Sequence, residues 1–180
     1  EQAFVGNQAG DAKSALAGAA KKIEAVYAYP FQNHACMEPM NATVRYTPDR
    51  CEMWGPTQNG EGAFAAALAA SGLPAEKVDV HNTMLGGGFG RRGSYPDDYV
   101  TQAVLIAKQM PGTPVKLIWS REEDMAHGRY HPVMQCKLVG GLDASGNLAG
   151  LHMRLSGQSI LAAVRPEVVQ AQKGRDPLSF

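Results

Sequence analysis

Charge of one sign is missing from the sequence: 17 Lys and Arg balance 17 Asp and Glu over 180 residues, and the cations are spread along the chain. No basic field exists to attract a nucleic-acid backbone or an anionic membrane surface, so neither partner is expected. Long apolar runs are missing as well. The longest, residues 63–70, is mostly alanine and falls far short of the roughly 20 residues that span a bilayer, so membrane insertion is not expected. Cysteine is scarce: Cys36, Cys51 and Cys136 are odd in number and contain no C-x-x-C pair, which argues against a disulfide framework and for reduced thiols. No His/Cys/Asp/Glu cluster has metal-ligand spacing, so no side-chain metal site is expected. The absence of Gly-Lys-Ser/Thr excludes a Walker loop.

What is present is enough apolar residue, 44% against 19% charged, to bury the core of one domain or one large lobe. Glycine is enriched, 20 of 180 against a usual share of about 7%, and the excess is concentrated near residue 88. The divisions expected are a linker and short helix over 1–22, a folded lobe over 23–158, and the start of a following segment over 159–180. The chain reads as cut from a longer one, with any export signal lying upstream of Glu1.

Local patterns predict an α+β fold of mixed sheets with hairpins and two or three packed helices. Asp11 is a capping residue before an alanine-rich stretch ending on two lysines, which predicts a helix over 12–22. Alternation at Ile23, Ala25, Tyr27 and Tyr29 predicts a half-buried strand. Strands over 42–46 and 51–54 should pair as a hairpin through Thr47-Pro48-Asp49-Arg50. An alanine-rich helix over 61–70 ends on Gly72 and Pro74, the order a glycine stop followed by proline predicts. A strand over 77–85 then leads into the glycines. Ser94, Pro96 and Asp97 signal the start of a helix over 96–110. A strand over 115–120, a polar turn or helix over 121–126, a hairpin of 133–139 with 148–156, and a helix over 161–170 complete the reading.

Gly86-Gly87-Gly88-Phe89-Gly90 places four glycines in five residues between a strand and a helix. Such a stretch can take positive φ and aim backbone amides at one centre, a nest for an anion. Arg91 and Arg92 follow, and guanidinium groups offer paired donors suited to phosphate oxygens. The competing reading is a sharp turn with solvated arginines. Residues 88–93 also match G-x-G-x-x-G, which opens a nucleotide-binding dehydrogenase reading. The acid after the following strand, Glu122, lies 29 residues past Gly93, whereas the dinucleotide fingerprint wants one about 20 residues on. A third possibility is a folded interaction lobe that holds no cofactor.

Three more segments, His34-Ala35-Cys36-Met37-Glu38-Pro39, Trp54-Gly55-Pro56-Thr57-Gln58, and Arg121-Glu122-Glu123-Asp124-Met125 with His131-Pro132, make the pattern specific. In this order and spacing, over residues 24–158, the chain resembles the molybdenum-cofactor-binding subunit of the xanthine dehydrogenase and aldehyde oxidase family. The Gly-Gly-Gly-Phe-Gly-Arg-Arg form resembles the branch of that family that contains the isoquinoline 1-oxidoreductase beta chain.

The resemblance implies a first molybdopterin-binding lobe that contacts molybdopterin cytosine dinucleotide and its molybdenum through Gln58, Gly87, Gly88, Phe89, Gly90, Arg91 and Arg92. Gln58 would hydrogen-bond an oxo ligand of the metal. The same resemblance implies hydroxylation of an N-heterocycle or aldehyde with oxygen from water, a general-base glutamate outside this chain, and electrons leaving through an iron–sulfur subunit carrying [2Fe-2S] clusters, with a cytochrome as a further acceptor. The fragment alone would be inactive. His34 and Glu38 are expected to be structural, and 121–124 a solvated helix start. Arg91, Arg92 and Gly93 stand where xanthine-oxidising relatives carry Gly-Lys-Glu, which argues against purine as substrate. A bacterial periplasmic location is the expectation from this branch, with the cytoplasm as the alternative.

Overall fold

The computed structural model describes residues 4–93, 98–176 and 178. It divides into two compact units, one of residues 1–32 with 131–180 and one of residues 33–130.

The second unit is built on a four-stranded sheet. Strands β2 (Asn41–Thr47) and β3 (Arg50–Gly55) form the expected hairpin, β4 (Val78–Asn82) lies parallel to β3, and β5 (Val115–Ile118) lies antiparallel to β2, giving the order β4-β3-β2-β5. Alternation sends Ala42, Val44, Cys51, Met53 and Val78 into the core. The opposite face carries Thr43, Arg45, Glu52, Asp79 and Lys116, with Arg50 bridging Asp79 at 2.7 Å.

Helices α2 (Gly60–Ser71) and α3 (Asp98–Ala107) cover the apolar face. α2 starts because the Asn59 side chain accepts from Gly62 N at 3.0 Å, and stops because Gly72 turns left-handed at φ 72°. Its buried Ala63, Ala66 and Ala67 form one small-residue face that lets the backbone approach closely. α3 buries Tyr99, Val100, Ala103, Val104 and Ala107 as a single stripe. Lys108 Nζ donates to Ala70 O and Ser71 O, both at 3.0 Å, satisfying carbonyls at the end of α2. The helix α4 (Arg121–Ala126) closes the unit, capped by the Ser120 hydroxyl.

The first unit holds a three-stranded antiparallel sheet, β1 (Lys21–Tyr29), β6 (Met134–Leu142) and β7 (Leu148–Gly157), in the order β1-β6-β7. Helix α1 (Ala12–Ala17) lies over Gly141 and Gly150, where added Cβ atoms would sit 2.8 Å from Ala19 Cβ and 2.9 Å from Ala15 Cβ. Helices α5 (Ile160–Val164) and α6 (Pro166–Ala171) follow.

Several boundaries differ from the sequence pattern, among them the strand expected over 133–139, which runs on to Leu142. The helix over 12–22 ends at Ala17, capped by Gly18, and Lys21 and Lys22 begin β1 because they pair with Leu142 and Gly141. The strand over 77–85 stops at Asn82, opposite Gly55, where β3 ends. The helix over 161–170 breaks at Arg165, since Pro166 has no N–H to continue it and instead opens α6. The helix over 96–110 is described from Asp98 to Ala107, with 96–97 outside the described residues. Throughout, the architecture is α+β. The antiparallel β2 inside the second sheet separates it from the parallel sheet of a dinucleotide-binding dehydrogenase.

Candidate functional site

The glycine loop follows β4 and is held in shape by two other segments of the same unit. Gly87 and Gly90 take φ of 102° and 101°, conformations open to glycine and strained for other residues, and Phe89 between them is also left-handed at 52°. Within the loop, Arg91 N donates to Gly88 O at 2.9 Å and Gly93 N to Gly90 O at 3.0 Å. The amides of Gly87, Gly88 and Phe89 meet no acceptor among the described residues. Three successive unpaired donors beside positive-φ turns form the kind of nest that receives an anionic or strongly electronegative group.

Gln58 lies against this loop. Its backbone N donates to Arg92 O at 3.0 Å, and its side-chain Oε1 accepts the Gly90 amide at 3.0 Å. With Oε1 held there, the amide orientation is set, and the exposed Nε2 donors have no acceptor among the described residues. The fit requires glycine at 88, since a Cβ there would stand 2.6 Å from Gln58 Cδ. Thr57 anchors the neighbouring backbone: it is buried, its Oγ1 donates to Arg92 O at 3.2 Å, and its peptide group exchanges two 3.2 Å bonds with the Asn82 side chain. Tyr99 Oη donates to Pro56 O at 3.1 Å, tying the 54–58 segment to α3.

The arginines face away from the role the sequence suggested. Arg92 is fully buried, and its guanidinium donates to Gly87 O at 2.9 Å, Pro56 O at 3.4 Å, Glu38 O at 2.8 Å, Pro39 O at 3.3 Å and Glu38 Oε2 at 3.1 Å. Arg91 is also buried, paired with Asp98 at 2.9 Å and lying 5.5 Å from the centroid of the Trp119 ring. Their forks are occupied by the protein's own carbonyls and carboxylates, which corrects the expectation of donors turned toward phosphate. Both residues therefore shape the loop from within.

Glu38 is structural, as expected, and its role is specific: besides taking Arg92, its carboxylate accepts Gly86 N at 2.9 Å while its own N donates to Gly86 O at 3.1 Å. Segment 121–124 departs from the expected solvated start. Arg121 donates to Cys36 O and Met37 O and pairs at 2.8 Å with Asp124, which is buried. These clamps were missed because the partners of Arg121 lie 84 and 85 residues away. Cys36 is buried, with Sγ 3.4 Å from Gly88 O, and burial raises its thiol above the ordinary range, an effect Arg92 partly offsets. His34 is not part of any group of three potential metal ligands among the described residues. No helix among them is long and apolar enough to cross a membrane.

Three segments, 34–39, 54–58 and 86–93, thus meet as one assembly around an exposed amide donor and a run of open backbone donors. Residues 1–166 match the family model of the molybdopterin cofactor-binding domain. The chain belongs to this family.

This molybdopterin cofactor-binding domain is 31% identical over 147 residues to the beta chain of isoquinoline 1-oxidoreductase from Brevundimonas diminuta, covering 79% of this chain and 18% of that protein. It is 24% identical over 147 residues to a nicotinate dehydrogenase subunit from Pseudomonas putida, covering 82% and 12%. Among solved structures, quinoline 2-oxidoreductase from Pseudomonas putida 86 superposes with a TM-score of 0.62 at 19% identity, covering 81% of this chain and 18% of that one, and this likeness carries the fold. The chain spans less than a fifth of the length of these relatives.

Proposed function

We propose that the chain is one lobe of a molybdenum hydroxylase large subunit, an oxidoreductase, and that it holds molybdopterin cytosine dinucleotide through Gln58 and the backbone of Gly87, Gly88, Phe89 and Gly90. The observation that carries this reading is the Gln58 amide, pinned at Oε1 by Gly90 so that Nε2 is the end presented outward. Such a neutral donor orients an oxo group without adding charge. The residues fit the group in two further respects. The Gly87–Phe89 amides are open donors, and the absence of a Cβ at Gly88 lets Gln58 lie on the loop.

When bound, the group supplies a molybdenum centre that takes two electrons from a substrate carbon. This chain's residues would hold it: the loop amides would donate to its electronegative atoms and Gln58 Nε2 would supply a further donor, while Arg92, Glu38 and Arg121 keep the three segments in register. Arg91 and Arg92 support the site from inside. No general base is assigned in this chain, and the reading places that glutamate elsewhere in the longer subunit.

The parent enzyme would hydroxylate an N-heterocycle or an aldehyde with oxygen from water. The names of the similar proteins, which refer to isoquinoline, nicotinate and quinoline, support the heterocycle, and that of an aldehyde oxidoreductase molybdenum-binding subunit from Escherichia coli, 28% identical over 149 residues, supports the aldehyde. Phe89, 69% exposed between the two glycines that meet Gln58, offers a flat apolar surface to a ring. Electrons would pass to a [2Fe-2S] partner subunit and on to a cytochrome, in the periplasm.

Metal analysis of the intact parent protein tests the reading. Molybdenum near one per chain, released with a cytosine-containing pterin, is the expected result. Tight NAD binding with no molybdenum would overturn it.

A further inference from the structure

The three-stranded sheet of the first unit has two chemically opposite faces. Register places Ile23, Ala25, Tyr27 and Tyr29 of β1, Met134, Cys136, Leu138 and Gly140 of β6, and Leu151, Met153, Leu155 and Gly157 of β7 on one side. The one charged residue on that side is Lys21, at its end opposite Leu142. The other side carries Lys22, Glu24, Lys137 and Arg154, with Lys137 paired to Glu24 at 2.6 Å, and holds α1 over Gly141 and Gly150. This largely apolar side remains open: Ile23 is 50%, Tyr27 52% and Met153 53% exposed.

A sheet face of this composition is stable when a second apolar layer covers it. At strand spacings of about 4.8 Å and rises of about 3.3 Å per residue, the face measures roughly 14 Å by 30 Å, or about 400 Å². A stable complex of two free chains needs about 800 Å² from each partner, so a second copy seated on this face alone is too small an interface. A layer from the same polypeptide meets no such threshold, because covalent linkage removes most of the association cost. The relatives are more than five times the length spanned here.

We infer that this face is the docking surface for an aliphatic layer contributed by the remainder of the parent subunit, so that the first unit completes its core only there. The inference rests on the reading of the chain as one lobe of a longer subunit, and it is independent of whether that subunit holds molybdenum.

Cys136, half-buried at the centre of the face, is the probe. The 180-residue chain and the native parent subunit are exposed to iodoacetamide, and modification of Cys136 is followed by peptide mass spectrometry. The expected result is modification in the short chain and at least tenfold slower modification in the parent. Equal rates in the two folded proteins overturn the inference. Protection in the short chain that grows with protein concentration assigns the face to a second copy, and protection in the short chain at all dilutions means the lobe covers it alone; either outcome also overturns it. A second arm uses Met153→Glu, which should lower the soluble yield of the parent while leaving the melting of the short chain unchanged. Unchanged yield of the parent counts against the inference. Molybdenum content, measured on the same parent samples, reports separately on the proposed function.

Discussion

Gly90 N and Gln58 Oε1 are joined by a 3.0 Å hydrogen bond that leaves the Gln58 amide donors facing out from the glycine loop. The bond crosses 32 residues of sequence, so the loop and the 54–58 segment fix each other's conformation. Any group that docks on the loop meets a donor whose direction is set before it arrives, and preorganised donors of this kind are worth most where water is excluded.

Replacing Gln58 therefore separates binding from chemistry. Gln58→Ala in the parent enzyme is expected to lower turnover on the order of 10²-fold while molybdenum content falls less, since the loop amides remain. Gln58→Glu keeps the oxygen that accepts from Gly90 but removes the donors, and should lose turnover similarly. Steady-state kinetics normalised to molybdenum content check both, and unchanged turnover in either variant removes Gln58 from the site.

Gly88→Ala tests the packing itself. Its new Cβ would stand 2.6 Å from Gln58 Cδ and 3.1 Å from Cγ, so the glutamine must leave its seat. The expected result is a loss of molybdenum retention together with an overpacking cost of about 1–3 kcal/mol. Gly72→Ala is the control: nothing lies within 4 Å of its Cβ position, and only the φ of 72° is strained. It should cost about 1–2 kcal/mol with molybdenum content unchanged, as read by thermal melting and metal analysis.

How much of this was legible in the sequence depends on the range of the interactions. The alanine-rich helix with its Asn59 start and Gly72 stop is set within about four residues at each end, and its boundaries came out within one residue of the pattern. The 41–55 hairpin is likewise local. The two lysines at 21 and 22 suit a helix end by charge, yet they pair with residues 141 and 142, and that ladder outweighs the local preference. The alternation of β1 predicts a half-buried strand, but every residue of it except Ala25 is exposed in this chain.

At the site, the glycine loop stood out because a glycine run is a local signal, whereas Thr57-Gln58 was singled out only by the family resemblance. The direction of the arginine side chains is not local. The carbonyls that occupy Arg92 belong to residues 5 to 54 positions away, so a basic pair beside glycines looks the same in sequence whether it faces an anion or the interior. Glu38, Asn82, Arg121 and Asp124 escaped notice as loop holders for the same reason.

Thiol reactivity should separate the cysteines. Burial pushes the Cys51 thiol up to about 11 and raises that of Cys36. At pH 8 roughly one Cys51 in a thousand is thiolate, and its side chain is fully buried. Native protein treated with iodoacetamide at pH 8 is expected to leave Cys36 and Cys51 unmodified, and both should react after unfolding. Fast modification of Cys51 in the folded chain would contradict its place in the core.

The turn between β6 and β7 should carry an acid-sensitive element. The Asp143 carboxylate lies below its ordinary 3.8, first because the Asn147 backbone N donates to it at 2.9 Å, with further help from Asn147 Nδ2 and from Ser145 N at 2.8 Å. A carboxylate depressed in the folded state stabilises the turn above its unfolded pKa, and the effect is lost as pH falls through the lower folded value. The amide resonances of Ser145 and Asn147 should therefore shift together at a pH below 3.8. Asp143→Asn should abolish that shift.

Arg92 joins the three segments, and its removal should be the most damaging single change at the site. Arg92→Met leaves the carbonyls of Glu38, Pro39, Pro56 and Gly87 without their donor and the Glu38 carboxylate without its partner. A buried carbonyl left without its donor costs about 1–3 kcal/mol, and together these losses should lower Tm by about 10 °C in a chain of this length. Arg92→Lys keeps the charge but cannot reach carbonyls on several sides with one compact ammonium, so it should recover part of the stability and little of the cofactor binding. If lysine restored both fully, the fork geometry would be irrelevant, and Arg92 would act through its charge on Glu38 alone.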